Sequence, residues 1–286
     1  MADDYKLGLY EKALPADLSW EERLDVARQG GFDYLEMSVD ETDARLARLE
    51  WTPFRRKALV RTMDETGLPI RSICLSAHRK YSFGSMDDAK RQRGLEIMSK
   101  AIDLAGDLGV RIIQLAGYDV YYEEGTDETR ARFADGLDQA VAMAATAGVC
   151  LGFETMETPF MDTVEKSMAY VSQEANPYLG VYPDVGNLTN ASFLYGTSVA
   201  DDIATGAGHI FAAHLKETKA STYRDMSYST GTTDYEGALG QLVKQGVRRY
   251  VGEFWYLGSE SWRDDVSFAS AFLRGKLDAA FEAARS

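Results

Sequence analysis

The sequence predicts an α/β fold, a (β/α)8 TIM barrel that forms one domain over residues 1–286. Eight short apolar runs with β character alternate with amphipathic helical stretches along the chain. Glycines such as Gly67, Gly109 and Gly148 follow the helices, where a left-handed residue ends a helix well. An open doubly wound sheet is the alternative, but such a sheet normally has a glycine-rich turn after its first strand. Residues 10–15 contain no glycine, which favours the barrel.

The elements alternate in a regular order. Strands are expected near residues 7–10, 34–38, 70–75, 111–115, 150–154, 180–184, 210–215 and 250–254. Helices are expected near residues 20–28, 53–65, 87–107, 127–145, 164–171, 199–205, 235–244 and 263–284. Ser19 with Glu22, and Ser85 with Asp88, have the spacing of a helix-capping arrangement. No linker or low-complexity tract marks a second domain.

Composition excludes several classes of function. The chain has 45 acidic and 31 basic residues, a formal charge of −14, so it repels the phosphate backbone of nucleic acids. Cys74 and Cys150 lie in apolar strand-like runs, so we expect free, buried thiols rather than a disulfide. The acidic N-terminus has no leader-like pattern, and no apolar stretch approaches the length of a membrane span. We therefore expect a cytoplasmic protein without membrane contact.

Polar residues end four consecutive predicted strands: Glu154, Asp184, His214 and Glu253. In a parallel barrel the carboxyl ends of the strands meet at one face, where barrel enzymes have their active sites. Three carboxylates and one imidazole are a ligand set for a divalent cation. The sequence therefore predicts one divalent metal ion at this face, which could be zinc, manganese, cobalt or magnesium.

The same residues suggest a reaction. A divalent ion can polarise the carbonyl and adjacent hydroxyl of a sugar, which acidifies the neighbouring C–H. Glu154 and Glu253 come from predicted strands five and eight and could face each other across the substrate. One carboxylate would remove a proton from one face and the other would return a proton to the opposite face. This arrangement inverts a stereocentre, so we interpret the two glutamates as the catalytic pair of an isomerase.

Several segments resemble a known family. They include Leu-Gly-Leu-Tyr-Glu-Lys-Ala-Leu-Pro at 7–15, Tyr-Pro-Asp-Val-Gly-Asn-Leu at 182–188 and His-Leu-Lys-Glu-Thr-Lys at 214–219, together with 32–43, 75–79 and 113–122. The chain resembles the L-ribulose-5-phosphate/L-xylulose-5-phosphate 3-epimerases, within the xylose isomerase-like barrels. The resemblance extends to about Lys219. Beyond it, the family's Lys-Pro-Gly turn and glycine-rich segment are replaced by a hydroxyl-rich loop.

The resemblance implies that Glu154, Asp184, His214 and Glu253 are the metal ligands and that the two glutamates are the acid/base pair. It implies epimerisation of a pentulose 5-phosphate, by proton removal and return at C3 through a metal-bound cis-enediolate. It also implies a homodimer that acts in carbohydrate metabolism.

Further residues near the predicted mouth are candidate substrate contacts: His78, Gln114, Asn187, Lys216, Lys219 and Glu11. Lys216 and Lys219 are the nearest cations for a phosphate, with Arg79 and Lys80 as the second choice.

Other functions fit parts of the pattern. The same site would suit an epimerase or isomerase of an unphosphorylated ketose, a related sugar-phosphate isomerase or an inosose dehydratase. An apurinic endonuclease on this barrel would need many histidines and a basic DNA face, but the chain has three histidines and is acidic. A sugar sensor without catalysis would have no need of both glutamates.

Overall fold

A computed structural model describes residues 4–285, in which eight parallel strands form the predicted barrel. The strands are β1 (Lys6–Tyr10), β2 (Tyr34–Val39), β3 (Ile70–Leu75), β4 (Ile112–Ala116), β5 (Cys150–Glu154), β6 (Leu179–Tyr182), β7 (Ala213–Lys216) and β8 (Arg249–Glu253). Their order is β6-β5-β4-β3-β2-β1-β8-β7. Single bridges from Val181 to Ile210 and from Asp184 to His214 join β6 to β7, so the barrel is nearly closed. The predicted fold class is confirmed.

Helices surround this barrel. Within the described range they are α1 (Trp20–Gln29), α2 (Asp43–Leu46), α3 (Pro53–Thr66), α4 (Asp88–Leu108), α5 (Asp127–Ala147), α6 (Val164–Glu174), α7 (Val185–Tyr195), α8 (Val199–Thr205), α9 (Tyr235–Lys244) and α10 (Trp262–Ala283). The predicted bounds agree with these elements to within three residues, but α2 and α7 were not predicted. None of the helices among residues 4–285 is long and apolar enough to cross a membrane. The expectation that the acidic N-terminus has no leader-like pattern concerns residues that include 1–3, which lie outside the described range.

Local hydrogen bonds explain where two helices begin. The predicted cap of α1 is confirmed, since the Ser19 hydroxyl accepts from the Glu22 amide and the Glu22 carboxylate accepts from the Ser19 amide. The predicted cap at Ser85 is wrong. Asp87 caps α4 instead, because its carboxylate reaches the first free amides of the helix, while the Ser85 hydroxyl donates to Glu123.

Helix α7 directly follows the site-bearing end of β6. Its first residues include Gly186, Asn187 and Asn190, which have low helix propensity, and this explains why the sequence pattern missed it. Asp184 caps the helix, since its Oδ1 accepts from the Asn187 amide at 2.6 Å. Strand β6 therefore ends two residues before Asp184, not at it as predicted.

Apolar side chains between the barrel and the helices form the main core, and a smaller group fills the barrel interior: Tyr10, Tyr34, Cys74, Ile112, Tyr182, Ala212 and Val251. Both cysteines are free, as predicted. Cys74 is buried, but Cys150 at the start of β5 is only half-buried.

Candidate active site

The four residues predicted as metal ligands lie together at the carboxyl end of the barrel. Glu154 and Glu253 are the last residues of β5 and β8, His214 lies in β7, and Asp184 follows β6. One ligand atom from each residue lies within 4.8 Å of the others. All four side chains belong to buried residues, of which the most exposed is Glu253 at 5%. The sequence therefore identified a real cluster.

Two cationic or titratable groups lie among the carboxylates. His214 Nδ1 lies 3.0 Å from Glu154 Oε1 and 3.7 Å from Glu253 Oε2. Lys216 Nζ lies 3.2 Å from Asp184 Oδ2 and 3.4 Å from Glu253 Oε2. Lys216 was predicted as a cation for a substrate phosphate, and it is paired with two acids of the cluster, Asp184 and Glu253.

The buried carboxylates influence one another's ionisation. Burial raises the pKa of Glu154, and the negative charge of Glu253 raises it further. Burial also raises the pKa of Asp184, to about 8, although Lys216 opposes the shift. Burial acts in the same direction on Glu253, but Lys216 and His214 outweigh it and hold its pKa at about 2. Three acids thus compete for few positive charges, and this competition disfavours having all of them ionised.

The cluster fits a divalent metal ion. Asp184 Oδ2 and Glu253 Oε2 are buried atoms that make no hydrogen bond among residues 4–285, although the Lys216 ammonium forms an ion pair with both. Buried polar atoms in proteins are normally hydrogen-bonded, so these two oxygens can take a further partner. Together with Glu154 and His214 they provide three oxygens and one nitrogen, which is a common donor set for divalent ions.

Glu36, in the middle of β2, orients the histidine of this cluster. Its Oε1 lies 2.6 Å from His214 Nε2, while its Oε2 accepts from Ser72 Oγ at 2.6 Å and from the Tyr182 hydroxyl at 2.9 Å. A carboxylate at this position accepts a hydrogen bond from Nε2–H, and Nδ1 is then directed towards Glu154 and Glu253. Sequence reasoning missed Glu36, although an acid inside the predicted strand 34–38 is a detectable signal.

Burial opposes protonation of His214, but the negative charges of Glu36, Glu253 and Glu154 outweigh it and raise the pKa of the imidazole well above its usual value. The histidine therefore lies in a strongly negative environment, which favours any cation bound there.

Two of the predicted substrate contacts lie beside the cluster. Gln114 is fully buried in β4 and its Nε2 donates to Glu154 Oε2, so it holds that carboxylate in place. Asn187 lines the cleft next to the cluster and its Nδ2 donates to the Thr155 carbonyl at 2.8 Å. Its Oδ1 is buried and has no hydrogen-bond partner among residues 4–285.

Three other candidates lie outside the cleft lining. Glu11 is fully buried beneath arginines and its oxygens are occupied by them. His78 is buried against Phe83, and its Nε2 lies 3.1 Å from the Gly94 carbonyl. Lys219 is an exposed residue. The structure thus gives Glu11 and His78 internal packing partners and leaves Lys219 on the surface.

The cleft above the cluster contains further polar groups. Glu154 and Glu253 both line it, and so do Arg79, Lys12, Glu157 and Arg224. The last three were not predicted as site residues. Lys12 and Glu157 lie two and three residues after the ends of β1 and β5, which is a usable signal in a barrel. Arg224 lies in the hydroxyl-rich loop after β7, where the sequence pattern offers no such guide.

This fold has counterparts among known proteins. Residues 24–273 match the model of the xylose isomerase-like TIM barrel family, and the chain belongs to that family.

Within that family the chain is similar to curated bacterial enzymes. It is 46% identical over 275 residues to the L-ribulose-5-phosphate 3-epimerase UlaE of Salmonella paratyphi C, a match that covers 96% of this chain and 95% of the relative. The protein of the same name from Salmonella enteritidis has the same identity and coverage. The resemblance stated from the sequence motifs is confirmed.

Solved structures show the same fold. An L-ribulose 3-epimerase superimposes with a TM-score of 0.78 at 21% identity, covering 98% of this chain and 97% of that one. A D-psicose 3-epimerase of Clostridium cellulolyticum H10, solved with D-tagatose, superimposes with a TM-score of 0.79 at 16% identity, covering 95% of this chain and 99% of that one.

Proposed function

We propose that the protein is a divalent-metal-dependent 3-epimerase that interconverts L-ribulose 5-phosphate and L-xylulose 5-phosphate. The observation that carries this proposal is the buried cluster of Glu154, Asp184, His214 and Glu253, in a chain 46% identical to L-ribulose-5-phosphate 3-epimerases. Enzymes of this kind are isomerases of carbohydrate metabolism. The two glutamates of the cluster also line the cleft at the mouth of the barrel.

We assign the four cluster residues as ligands of one ion and Glu154 and Glu253 as the acid/base pair. When bound, the ion supplies positive charge that polarises the substrate carbonyl and favours loss of the C3 proton. Glu253, which its low pKa keeps ionised, has the free carboxylate needed to accept that proton. Glu154, whose pKa is raised, is suited to return one. The reverse reaction exchanges these roles.

Other residues in the cleft orient the reactants. Gln114 fixes Glu154 through its side-chain amide. Asn187 can accept a hydrogen bond from a sugar hydroxyl through its unpaired Oδ1. Lys216 stabilises ionised Asp184 and Glu253 through its ammonium group. These side chains control geometry and charge and do not themselves exchange the C3 proton.

Three finer features belong to the same proposal. Zinc, manganese, cobalt and magnesium all suit a donor set of three oxygens and one nitrogen, and activity after reconstitution with each ion would rank them. We expect a homodimer, which size-exclusion chromatography with light scattering would test. We also expect a cytoplasmic enzyme, in line with its two free cysteines.

The test is an NMR experiment in heavy water with metal-replete enzyme and L-ribulose 5-phosphate. We expect deuterium to enter at C3 as L-xylulose 5-phosphate forms. Parallel reactions with unphosphorylated L-ribulose would separate this function from that of a free-ketose epimerase. Transfer of the carbonyl between C1 and C2 would indicate an aldose–ketose isomerase instead of an epimerase. Absence of C3 exchange with both pentulose phosphates would contradict the proposal.

A further inference from the structure

Residues 217–234 connect β7 to α9, and the carboxylate of Glu217 accepts hydrogen bonds from three parts of this loop. Glu217 directly follows β7 and is 4% exposed. Its Oε1 accepts from the Thr218 and Thr233 amides at 3.2 and 3.3 Å, and its Oε2 accepts from the Ser229 amide at 2.8 Å. Hydrogen bonds to a buried carboxylate are strong, so Glu217 ties the beginning of the loop to its middle and its end.

The backbone of this loop is strained and needs such support. Three residues other than glycine, Ser221, Asp225 and Ser229, have left-handed conformations with φ of 61°, 60° and 68°. Residues with a Cβ rarely adopt this conformation unless the surrounding structure imposes it. Ser229 is also one of the residues whose amide donates to Glu217. One strained residue is therefore held directly by the carboxylate.

The loop approaches Glu217 most closely at Gly231. A Cβ at this position would overlap the Thr218 carbonyl oxygen and would lie 2.7 Å from Glu217 Oε1. The Thr232 amide donates to the same Thr218 carbonyl at 2.7 Å. Gly231 thus leaves the room that the two ends of the loop need in order to meet at Glu217.

Two further contacts hold the loop from outside. The side chain of Asn190 on α7 accepts from the Ser221 amide at 2.8 Å and donates to Thr218 Oγ1. The Tyr228 hydroxyl donates to the Leu215 carbonyl in β7 at 2.6 Å. Anchors therefore lie on both sides of residues 222–227, which carry two side chains into the lining of the cleft.

Those two side chains belong to Tyr223 and Arg224, and they line the cleft together with Glu154 and Glu253. The Arg224 guanidinium carbon also lies 5.7 Å from the ring centre of Trp255, another residue of the cleft lining. Glu217 itself is not part of that lining. Any influence of its carboxylate on the cleft must therefore pass through the loop.

We propose that Glu217 is a positioning residue for the reaction. It holds residues 218–233 in the conformation that places Tyr223 and Arg224 in the wall of the cleft. The inference rests on the proposed function and adds a residue that shapes its substrate site. Without this carboxylate the wall would be formed in only a fraction of the molecules, whereas Glu154 and Glu253 would keep their places at the ends of β5 and β8.

This role predicts an effect on KM and little effect on kcat. Apparent affinity falls in proportion to the fraction of molecules whose binding site is formed. We expect Glu217→Gln to raise KM for L-ribulose 5-phosphate about tenfold, because its amide turns a donor towards backbone donors. Its kcat should stay within about threefold of wild type. A merely structural role would instead reduce the active fraction, and with it kcat, at unchanged KM.

Gly231→Ala and Asp202→Asn complete the comparison. Gly231→Ala disturbs the same contact from the loop side and leaves the barrel intact, so it tests the proposal even if Glu217→Gln does not fold. The control residue Asp202, on α8, accepts from the Val164 and Glu165 amides at 2.9 and 3.1 Å and does not line the cleft. Asp202→Asn therefore weakens the same kind of bond at the start of α6, and its KM should stay within about twofold of wild type.

Trypsin provides a readout that does not need turnover. Lys219 and Arg224 are exposed residues of the loop, and cleavage after them requires the loop to open. In metal-replete protein without substrate, mass spectrometry should show cleavage at these two positions about tenfold faster in Glu217→Gln and Gly231→Ala than in wild type. Cleavage there in Asp202→Asn should match wild type.

The outcomes separate the two proposals. An inactive wild type, with faster cleavage in both loop variants, would support the anchoring by Glu217 and contradict the proposed function. An active wild type whose loop variants keep its KM, or are cleaved within the loop no faster, would overturn the positioning role alone.

Discussion

Glu11 and the acidic cluster are both buried near the carboxyl ends of strands, but their charges are balanced in opposite ways. Glu11 follows β1 and is fully buried. Three guanidinium groups contact its carboxylate at 2.5 to 3.0 Å, those of Arg23, Arg45 and Arg48. Burial opposes its ionisation, but the arginines, Arg48 foremost, outweigh burial and lower its pKa. One negative charge here meets three positive charges within the protein.

The cluster of Glu154, Asp184 and Glu253 has the reverse balance. Lys216 and His214 are the groups that face these three acids with positive charge. Burial consequently raises the pKa of two of the carboxylates. The comparison teaches that a buried acid is structural where the chain itself neutralises it, and indicates a ligand site where the chain does not.

The largest contrast concerns catalysis. We expect Glu253→Gln to lower kcat for L-ribulose 5-phosphate by about 10³-fold, because the amide cannot accept the C3 proton. Glu96→Gln on α4 is the matched control, since its side chain is 47% exposed and pairs with Arg93 on the same helix. If Glu253→Gln kept more than about a tenth of the wild-type kcat, the carboxylate would not be the base.

The next contrast concerns stability. Glu11→Gln leaves the buried Arg23 and Arg48 without the carboxylate that they share, so we expect it to lower the free energy of unfolding by about 3–5 kcal/mol in urea titrations. The folded fraction should retain kcat within about twofold, because Glu11 does not line the cleft. A stable but inactive Glu11→Gln variant would place this residue in the reaction after all.

A smaller effect is expected behind the cluster. Glu36→Gln weakens the hydrogen bond that fixes His214, and we expect the affinity for Mn²⁺ in calorimetric titrations to fall about 10- to 100-fold. Ser72→Ala keeps the carboxylate but removes one hydrogen bond to it, and its effect should be smaller. Equal affinities in wild type and Glu36→Gln would show that Glu36 serves packing alone.

The smallest expected effect is on the pH dependence of stability, and it comes from the buried His78. Burial lowers the pKa of His78 to about 4, below its usual value, so the folded state binds its proton less readily than the unfolded state. Stability should therefore fall as the pH drops from about 6.5 towards 4, with a His78 contribution of about 1 kcal/mol at pH 5.5. In His78→Gln this contribution should vanish, and an unchanged pH profile would refute it.

Most of the fold was predictable because it depends on local patterns. Apolar periodicity and glycine stops, such as Gly109 after α4 and Gly148 after α5, mark the units of a barrel. Helix α7 was not predicted because it is stabilised by contacts that its own residue pattern does not show. Asp184 caps it, and the Asn187 side chain donates a hydrogen bond to the Thr155 carbonyl. Propensity alone gives no sign of such contacts.

The site was predictable only where strand ends determine it. Glu154 and Glu253 each end a strand of the barrel, and the fold class places the carboxyl ends of all strands at one face. The same rule placed Glu11 at the mouth, because sequence does not show which side chains lie beneath a loop. The ion pairs of Lys216 could not be predicted for a related reason: its two-residue offset from His214 gives direction but not partners. The position of Arg224 depends on the conformation of the loop after β7, which apolar periodicity does not predict. The assignment of residues 1–286 to one domain stays a prediction.

The central claim is that the surplus negative charge of the cluster is balanced by one bound divalent ion. Metal analysis and calorimetric titration of chelator-treated protein test it most directly. We predict one ion per chain for wild type and for Glu11→Gln, and none at the same concentrations for the double variant Asp184→Asn/Glu253→Gln. Equal metal binding by this double variant and wild type, or no binding by wild type, would contradict the account.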